Sequence, residues 1–148
     1  MKIIARNKKA SFNYFLLDTF EAGIVLQGTE IKSVRENKVN IGDAHCIIRK
    51  EELFIVNMHI AKYDHGNIFN HDETRQRKLL LHKKQIIKIN NKMMQDSLTV
   101  VPTKVYMEKG LCKVEIALAK GKKNYDKRQS LKEKDDKRNI DRKLKERY

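Results

Sequence analysis

The stretch Leu98-Thr-Val-Val-Pro-Thr-Lys-Val-Tyr-Met-Glu-Lys-Gly-Leu-Cys-Lys-Val-Glu-Ile-Ala-Leu118 decides how this chain folds. Two runs of strand-forming residues, Leu98 to Met107 and Leu111 to Leu118, flank Glu108-Lys-Gly110. Gly110 accepts a left-handed backbone at no steric cost, so Tyr106 to Leu111 reads as a β-hairpin. Towards the N-terminus the same composition recurs in Ser11 to Phe20, Gly23 to Gln27, Ala44 to Arg49 and Leu53 to Ile60. Turn signals at Asn40-Ile-Gly-Asp43 and Lys50-Glu-Glu52 separate them. Two helices interrupt the strands. Thr29 to Glu36 takes Thr29 as its cap, with Glu30 in the first turn and Ile31 and Val34 inward. His82 to Gln95 places Ile86, Ile89 or Asn90, Met93 and Met94 on one face and Lys83, Lys84, Lys88 and Lys92 on the other. Short strands without a βαβ rhythm predict a mainly β fold, a small closed antiparallel barrel. Asp64 to Gln76, polar and containing Gly66, reads as a long exposed loop.

Charge divides the chain. Of its 148 residues, 33 are Lys or Arg and 19 are Asp or Glu, a net charge of +14. The 29 residues from Lys120 to Tyr148 hold 13 basic and 6 acidic residues, so half the excess lies there. Their large apolar side chains are Tyr125, Leu131, Ile140, Leu144 and Tyr148, too few to offset the ordering entropy of the segment. The reading is a folded domain over 1–119 and a basic tail over 120–148. Ile140, Leu144 and Tyr148 recur at helical spacing, and Glu133 and Lys137 form a favourable i, i+4 pair. Such a tail is disordered alone and helical against a partner; a merely solubilising tail is the alternative.

The excess charge points to a polyanion, nucleic acid before anionic membrane. No apolar stretch approaches the roughly 20 residues that cross a bilayer, so no membrane partner is expected. Lys2 and Arg6 bracket only three apolar residues, which is not an export signal, and a cytoplasmic protein is expected. In that setting Cys46 and Cys112 read as reduced core residues. The chain shows neither Gly-x-Gly-x-x-Gly, a Walker loop nor Gly-x-Ser-x-Gly, so no catalytic residue and no cofactor is expected. His65, His71, Asp72 and Glu73 share one loop and leave a metal-dependent nuclease open as a rival, although no metal site is expected.

Basic residues interleaved with amides and aromatics carry the positive signal. They occur in Arg6-Asn7-Lys8-Lys9, in Arg75-Gln-Arg77-Lys78 leading to Leu79-Leu80-Leu81-His82-Lys83, and in Lys120 to Arg128. Lysine and arginine neutralise phosphates, and tyrosine stacks on bases. Without a helix-turn-helix pattern, a barrel with basic edges suits shaped RNA. At least two of Leu79, Leu80 and Leu81 belong to the core, and one is free to pack on an unstacked base.

These stretches resemble the small protein B family, the bacterial partners of transfer-messenger RNA. The resemblance rests on Asn7-Lys-Lys-Ala10, on Glu21-Ala-Gly-Ile-Val-Leu-Gln-Gly-Thr-Glu-Ile-Lys-Ser33 and on Asn57-Met-His-Ile60. Tyr63 to Asn67, Asn70-His-Asp72, Arg77-Lys-Leu-Leu-Leu-His-Lys83 and Ala119 to Arg128 complete it in family order. It implies a barrel of oligonucleotide-binding type with two or three flanking helices and the basic C-terminal tail. It implies an RNA surface at Asn7, Glu21, Leu80 and His82, beside the basic Lys8, Lys9, Arg77, Lys78 and Lys83. A Glu21 carboxylate can accept hydrogen bonds from base amino or ribose hydroxyl groups; a strand-edge structural role stays equally open. It further implies that Gly121, Lys122, Lys123, Tyr125, Asp126, Lys127 and Arg128 contact the ribosome near the decoding centre. The partners implied are transfer-messenger RNA, the ribosome and, through the charged RNA, elongation factor Tu, with the chain itself monomeric. A general structured-RNA protein is the rival within the binding class.

Overall fold

The structure, a computed structural model, describes residues 1–64 and 70–147, with Ser130, Asp136 and 139–147 by backbone alone. In chain order the elements are β1 (Lys2–Arg6), α1 (Lys8–Asn13), β2 (Tyr14–Ile24), α2 (Gly28–Arg35), β3 (Val39–Asn40), β4 (His45–Arg49) and β5 (Glu52–Val56). β6 (His59–Ile60), β7 (Arg77–Leu80), α3 (Lys83–Asp96), β8 (Thr99–Glu108), β9 (Leu111–Gly121) and α4 (Asn124–Arg147) follow.

Strands β8, β4, β5, β7, β2 and β9 are neighbours in that order, and β9 pairs back on β8, so the sheet closes on itself. Every pairing in the ring is antiparallel. The expected barrel is therefore present, with one strand more than the five of a simple oligonucleotide-binding barrel. The β8–β9 hairpin closes at Glu108↔Leu111, and both loop residues, Lys109 (φ 51°) and Gly110 (φ 77°), are left-handed, as a type I′ turn requires. β8 serves three neighbours. Its first half meets β4 at Val100, and its second half meets β1 from Lys104 to Met107. A bulge beside Pro102, which has no N–H to give, separates the two halves.

Along β9, Cys112, Val114, Ile116 and Leu118 point inward by the period of two. They meet Ala22, Leu53, Ile55, Leu79, Val100 and Val105 in one core, joined by Ile86 and Ile89 of α3. Each fully buried Leu or Ile there contributes about 1.5–3 kcal/mol. Cys46 and Cys112 lie in this core as free thiols. Burial pushes the Cys112 thiol up to about 11 and the Cys46 thiol further, so neither is a reactive thiolate. α3 reaches β2 through the Lys92–Asp18 ion pair at 2.7 Å, spanning the gap where β2 and β7 pair only at Gly23 and Ile24.

Several local expectations are corrected. The strand expected from Ser11 begins at Tyr14, because Lys8–Asn13 is helical. Asn7 starts that helix, its side-chain oxygen accepting from Ala10 N at 3.1 Å while its Nδ2 donates to Pro102 O at 2.9 Å. β2 then runs unbroken to Ile24 instead of forming two strands. The run Leu53 to Ile60 is broken by Asn57 (φ 60°) into β5 and β6. The N-cap of α2 is Gln27, two residues before the expected Thr29, and the Glu30 carboxylate accepts from Gln27 N at 2.8 Å. Met94 is 76% exposed and does not share the buried face of α3 with Ile86 and Ile89.

Candidate RNA-binding surface

The long β2–β9 ribbon sets the geometry. Gly23 opposes Lys113 at one end and Tyr14 opposes Gly121 at the other, about 30 Å away at 3.3 Å per residue. The sequence-predicted contact residues divide between these two ends.

At the Gly23 end stand Glu21, Leu80, Lys78, His82 and Lys83. Leu80 follows buried Leu79 in β7, so the pleat turns it outward, half exposed over Gly23. It separates two concavities. One is lined by Ile24, Leu26, Ile31 and Leu111, the other by Lys50, Lys78, Lys83 and Ile86. His82 is exposed at the N-cap of α3. Lys78 pairs with Glu52 at 3.3 Å and Lys83 with Glu51 at 3.0 Å, both exchangeable surface pairs. Glu21 is exposed and ionised: it accepts from Lys113 Nζ at 2.8 Å and from the Tyr106 hydroxyl at 2.5 Å. The Lys113 bond, then the Tyr106 bond, hold its carboxyl below the ordinary value. Burial, then the Glu21 bond, raise the Tyr106 phenol. Two oxygens carry four lone-pair sites, so Glu21 retains acceptor capacity for a ligand. Tyr106 and Lys113 went unnoticed in the sequence. The β2–β9 register brings Lys113 to Glu21 and the β8–β9 register sets Tyr106 beside Lys113, and no local pattern encodes either.

At the Tyr14 end stand Asn7, Lys8, Lys9 and the start of the tail. Lys8 and Lys9 are exposed, Lys9 3.5 Å from Asp43. Gly121 is the last residue of β9. Lys122 N donates to Asn13 O at 2.8 Å, and its Nζ donates to Ser11 O at 3.1 Å while lying 5.0 Å from the Phe15 ring centroid. Asp126 accepts from Lys123 N at 3.2 Å and places a carboxylate in the first turn of α4, where the helix dipole favours it. Tyr125 is 75% exposed and Arg128 is exposed, whereas Lys127 is half-buried. The side chains of Ile140 and Leu144, and all of Tyr148, lie outside the described residues.

Two expected RNA contacts are internal. Arg77 is 0% exposed. It binds the Glu30 carboxylate through Nε and Met58 O through NH1 at 2.6 Å. Arg75 meets the other Glu30 oxygen at 2.6 Å. Burial alone would raise Glu30, but the bonds from Arg75, Gln27 N and Arg77 outweigh it and hold the carboxyl low. Desolvation lowers Arg77, yet a guanidinium stays charged. Asn7 is 9% exposed, and its amide is used within the fold. Of the loop expected to be exposed, residues 65–69 lie outside the described residues, and the described part is anchored at buried His71 while Asp72, Thr74 and Gln76 are exposed. The His71 Nε2 lies 2.9 Å from Ile60 O, an acceptor only, so Nε2 carries the proton and Nδ1 accepts from the Thr29 hydroxyl at 2.8 Å. Both ring nitrogens are thereby occupied. Glu73 is held by His59 at 2.6 Å, and Asp72 by Thr74 N at 3.0 Å. His65 lies outside the described residues, among which no cluster of three or more metal-ligating side chains occurs. The nuclease arrangement loses its central histidine.

The family model described as SmpB protein matches residues 4–146. The chain belongs to the SmpB family. The match takes in both the barrel and α4. The SsrA-binding protein of Oceanobacillus iheyensis is 56% identical over 146 residues, covering 98% of this chain and 94% of that protein. The SsrA-binding protein of Enterococcus hirae is 56% identical over 144 residues, covering 97% and 94%. A chain of the solved structure described as "tmRNA-SmpB: a journey to the center of the bacterial ribosome" aligns with a TM-score of 0.69 and 39% identity. The alignment covers 86% of this chain and 93% of that one. SmpB membership thus agrees with the resemblance read from Asn7 to Ala10, Glu21 to Ser33 and Ala119 to Arg128.

Proposed function

We propose that this SmpB-family chain binds transfer-messenger RNA and acts with it on stalled ribosomes in trans-translation. The observation that carries the reading is the family match across barrel and tail together, supported by relatives named SsrA-binding protein and by a structural neighbour described as tmRNA-SmpB. The barrel, residues 1–119, grips the tRNA-like part of the RNA. Leu80 packs on an unstacked base, Glu21 accepts from base or ribose donors, and His82, Lys78 and Lys83 flank them. Exchange of the Glu51 and Glu52 pairs for phosphates frees counterions and gives affinity. The tail, residues 120–148, is disordered alone and becomes helical in the empty messenger channel of the ribosome. Helical geometry over Asn124–Arg147 supports the second half of that statement. Gly121, Lys122, Lys123, Tyr125, Asp126, Lys127 and Arg128 form the junction beside the decoding centre, where exposed Tyr125 stacks on ribosomal RNA. A channel filled by messenger excludes the tail, so only truncated messages admit it. The nascent chain is then tagged and the ribosome released.

In this role the chain performs no bond chemistry; peptide transfer belongs to the ribosome, and elongation factor Tu meets the chain through the charged RNA. The reading places a monomer in the cytoplasm. No described helix is long and apolar enough to cross a membrane. The test is affinity for transfer-messenger RNA against bulk tRNA at matched, stated salt. Tighter binding to transfer-messenger RNA is expected; equal affinities favour a general structured-RNA protein and overturn the proposal.

A further inference from the structure

A cleft of about 430 Å³ opens at the Tyr14 end of the barrel, between α1, residues 42–44 and the first residues of β4 and β8. Its floor is apolar, made of buried Ala10, Ala44 and Val101. Its walls carry Asn13, Tyr14 and His45, each half-buried. None of these three side chains makes a hydrogen bond to another described residue. Neighbouring Asn7 differs, since its amide is used at both ends by Pro102 O and Ala10 N. Lys9 stands at the rim, in a weak and fully solvated contact with Asp43. The cleft adjoins the tail junction, because Tyr14 opposes Gly121 in the β2–β9 ladder.

A carboxamide presents a donor and an acceptor side by side, which matches the hydrogen-bonding edge of a nucleobase. A phenol ring and an apolar floor offer flat, dry contact to its faces, and an ammonium at the rim suits the adjoining phosphate. The net charge of +14 favours a base that arrives on a polyanion over a free neutral metabolite. We infer that this cleft receives one unstacked RNA nucleobase, with Asn13 and His45 on its edge, Tyr14 against its ring and Lys9 on the neighbouring phosphate. The site is separated from Leu80 by the length of the β2–β9 ribbon. The inference rests on the reading of the chain as an RNA-binding protein. Two RNAs can supply the base: the tRNA-like part of transfer-messenger RNA, or ribosomal RNA beside the tail junction.

The experiment titrates the full chain and its Asn13→Ala and His45→Ala variants against a tRNA-like transcript and, separately, against vacant small ribosomal subunits. Neither side chain makes a hydrogen bond to another described residue, and the backbone bonds of both survive substitution, so thermal melting should be unchanged; if one variant melts early, the other is read. Loss of roughly tenfold in affinity is expected in one arm, and that arm names the source of the base. Affinities within about twofold of the unsubstituted chain in both arms overturn the inference. Leu80→Ala, run in parallel, keeps the two readings apart. Its loss of transcript binding with no loss from Asn13→Ala or His45→Ala sinks the cleft and leaves the proposed function standing.

Discussion

Between α2 and β7, Arg77 is turned fully into the fold, bonded to the Glu30 carboxylate and the Met58 carbonyl, and Arg75 reaches the same carboxylate from a partly buried position. Around α1 and the start of α4, Lys8, Lys9, Lys123 and Arg128 stay in solvent, with at most weak partners. The same residue class thus does two kinds of work. A buried guanidinium needs every bond it has, because an unpaired charge in the interior costs several kcal/mol. A solvated lysine gives up little when it leaves water for a phosphate and gains released counterions. Cationic composition locates an RNA-binding protein, but only burial tells which cations bind and which hold the barrel together.

Removing the solvated region outright is the most severe test. A chain ending at Lys123 keeps the β9 pairing and the Lys122–Asn13 bond, so its melting temperature and its affinity for the tRNA-like RNA should remain near those of the full chain. Tagging on stalled ribosomes, measured in a reconstituted system, should vanish. Loss of most RNA affinity on this truncation contradicts the assignment of binding to the barrel. The buried region should fail differently. Glu30→Ala leaves Arg77 without its carboxylate and should cost about 3–5 kcal/mol in urea unfolding. The RNA affinity of the molecules that remain folded should hardly change. A loss below about 1 kcal/mol would show that the cluster relaxes to water.

Smaller effects sharpen the same division. Leu80→Ala should weaken transcript binding by about 1–2 kcal/mol, while stability moves by no more than about 0.5 kcal/mol because the side chain is half exposed. Glu21→Gln probes the least of these contributions. The folded carboxyl lies below the ordinary glutamate value of 4.5, so its stabilising contribution is present above that value and is lost as pH falls through the folded pKa. The variant should melt slightly lower than the unsubstituted chain at neutral pH and converge with it as pH falls through the folded pKa, which makes its acid limb slightly less steep. An unchanged acid limb means that Lys113 and Tyr106 do not stabilise the carboxylate.

Much of the barrel was legible where local chemistry decides. Lys109-Gly110 specifies a left-handed two-residue turn, and the runs beside it alternate into a core whatever else the chain does. Ile86 and Ile89 announced the inner face of α3. The misreadings share one cause, a partner distant in sequence. Helix α1 exists because the Asn7 amide finds Pro102 O, 95 positions away. Arg77 is internal because Glu30, 47 positions earlier, waits for it. His71 left solvent for Thr29 and Ile60. At the candidate site Leu80, Glu21 and the junction residues were visible through the family resemblance. Asn13 and His45 were not, because nothing local distinguishes them from ordinary surface residues.

Ring closure has a bearing on how the polypeptide is made. The strand that starts at Tyr14 must wait for the one that ends at Gly121, so the cylinder cannot shut until almost all of the body has been synthesised. A message broken upstream of codon 111, where β9 begins, yields a product whose β2 and β8 borders have nothing to zip against, an open and adhesive sheet instead of a half-working factor.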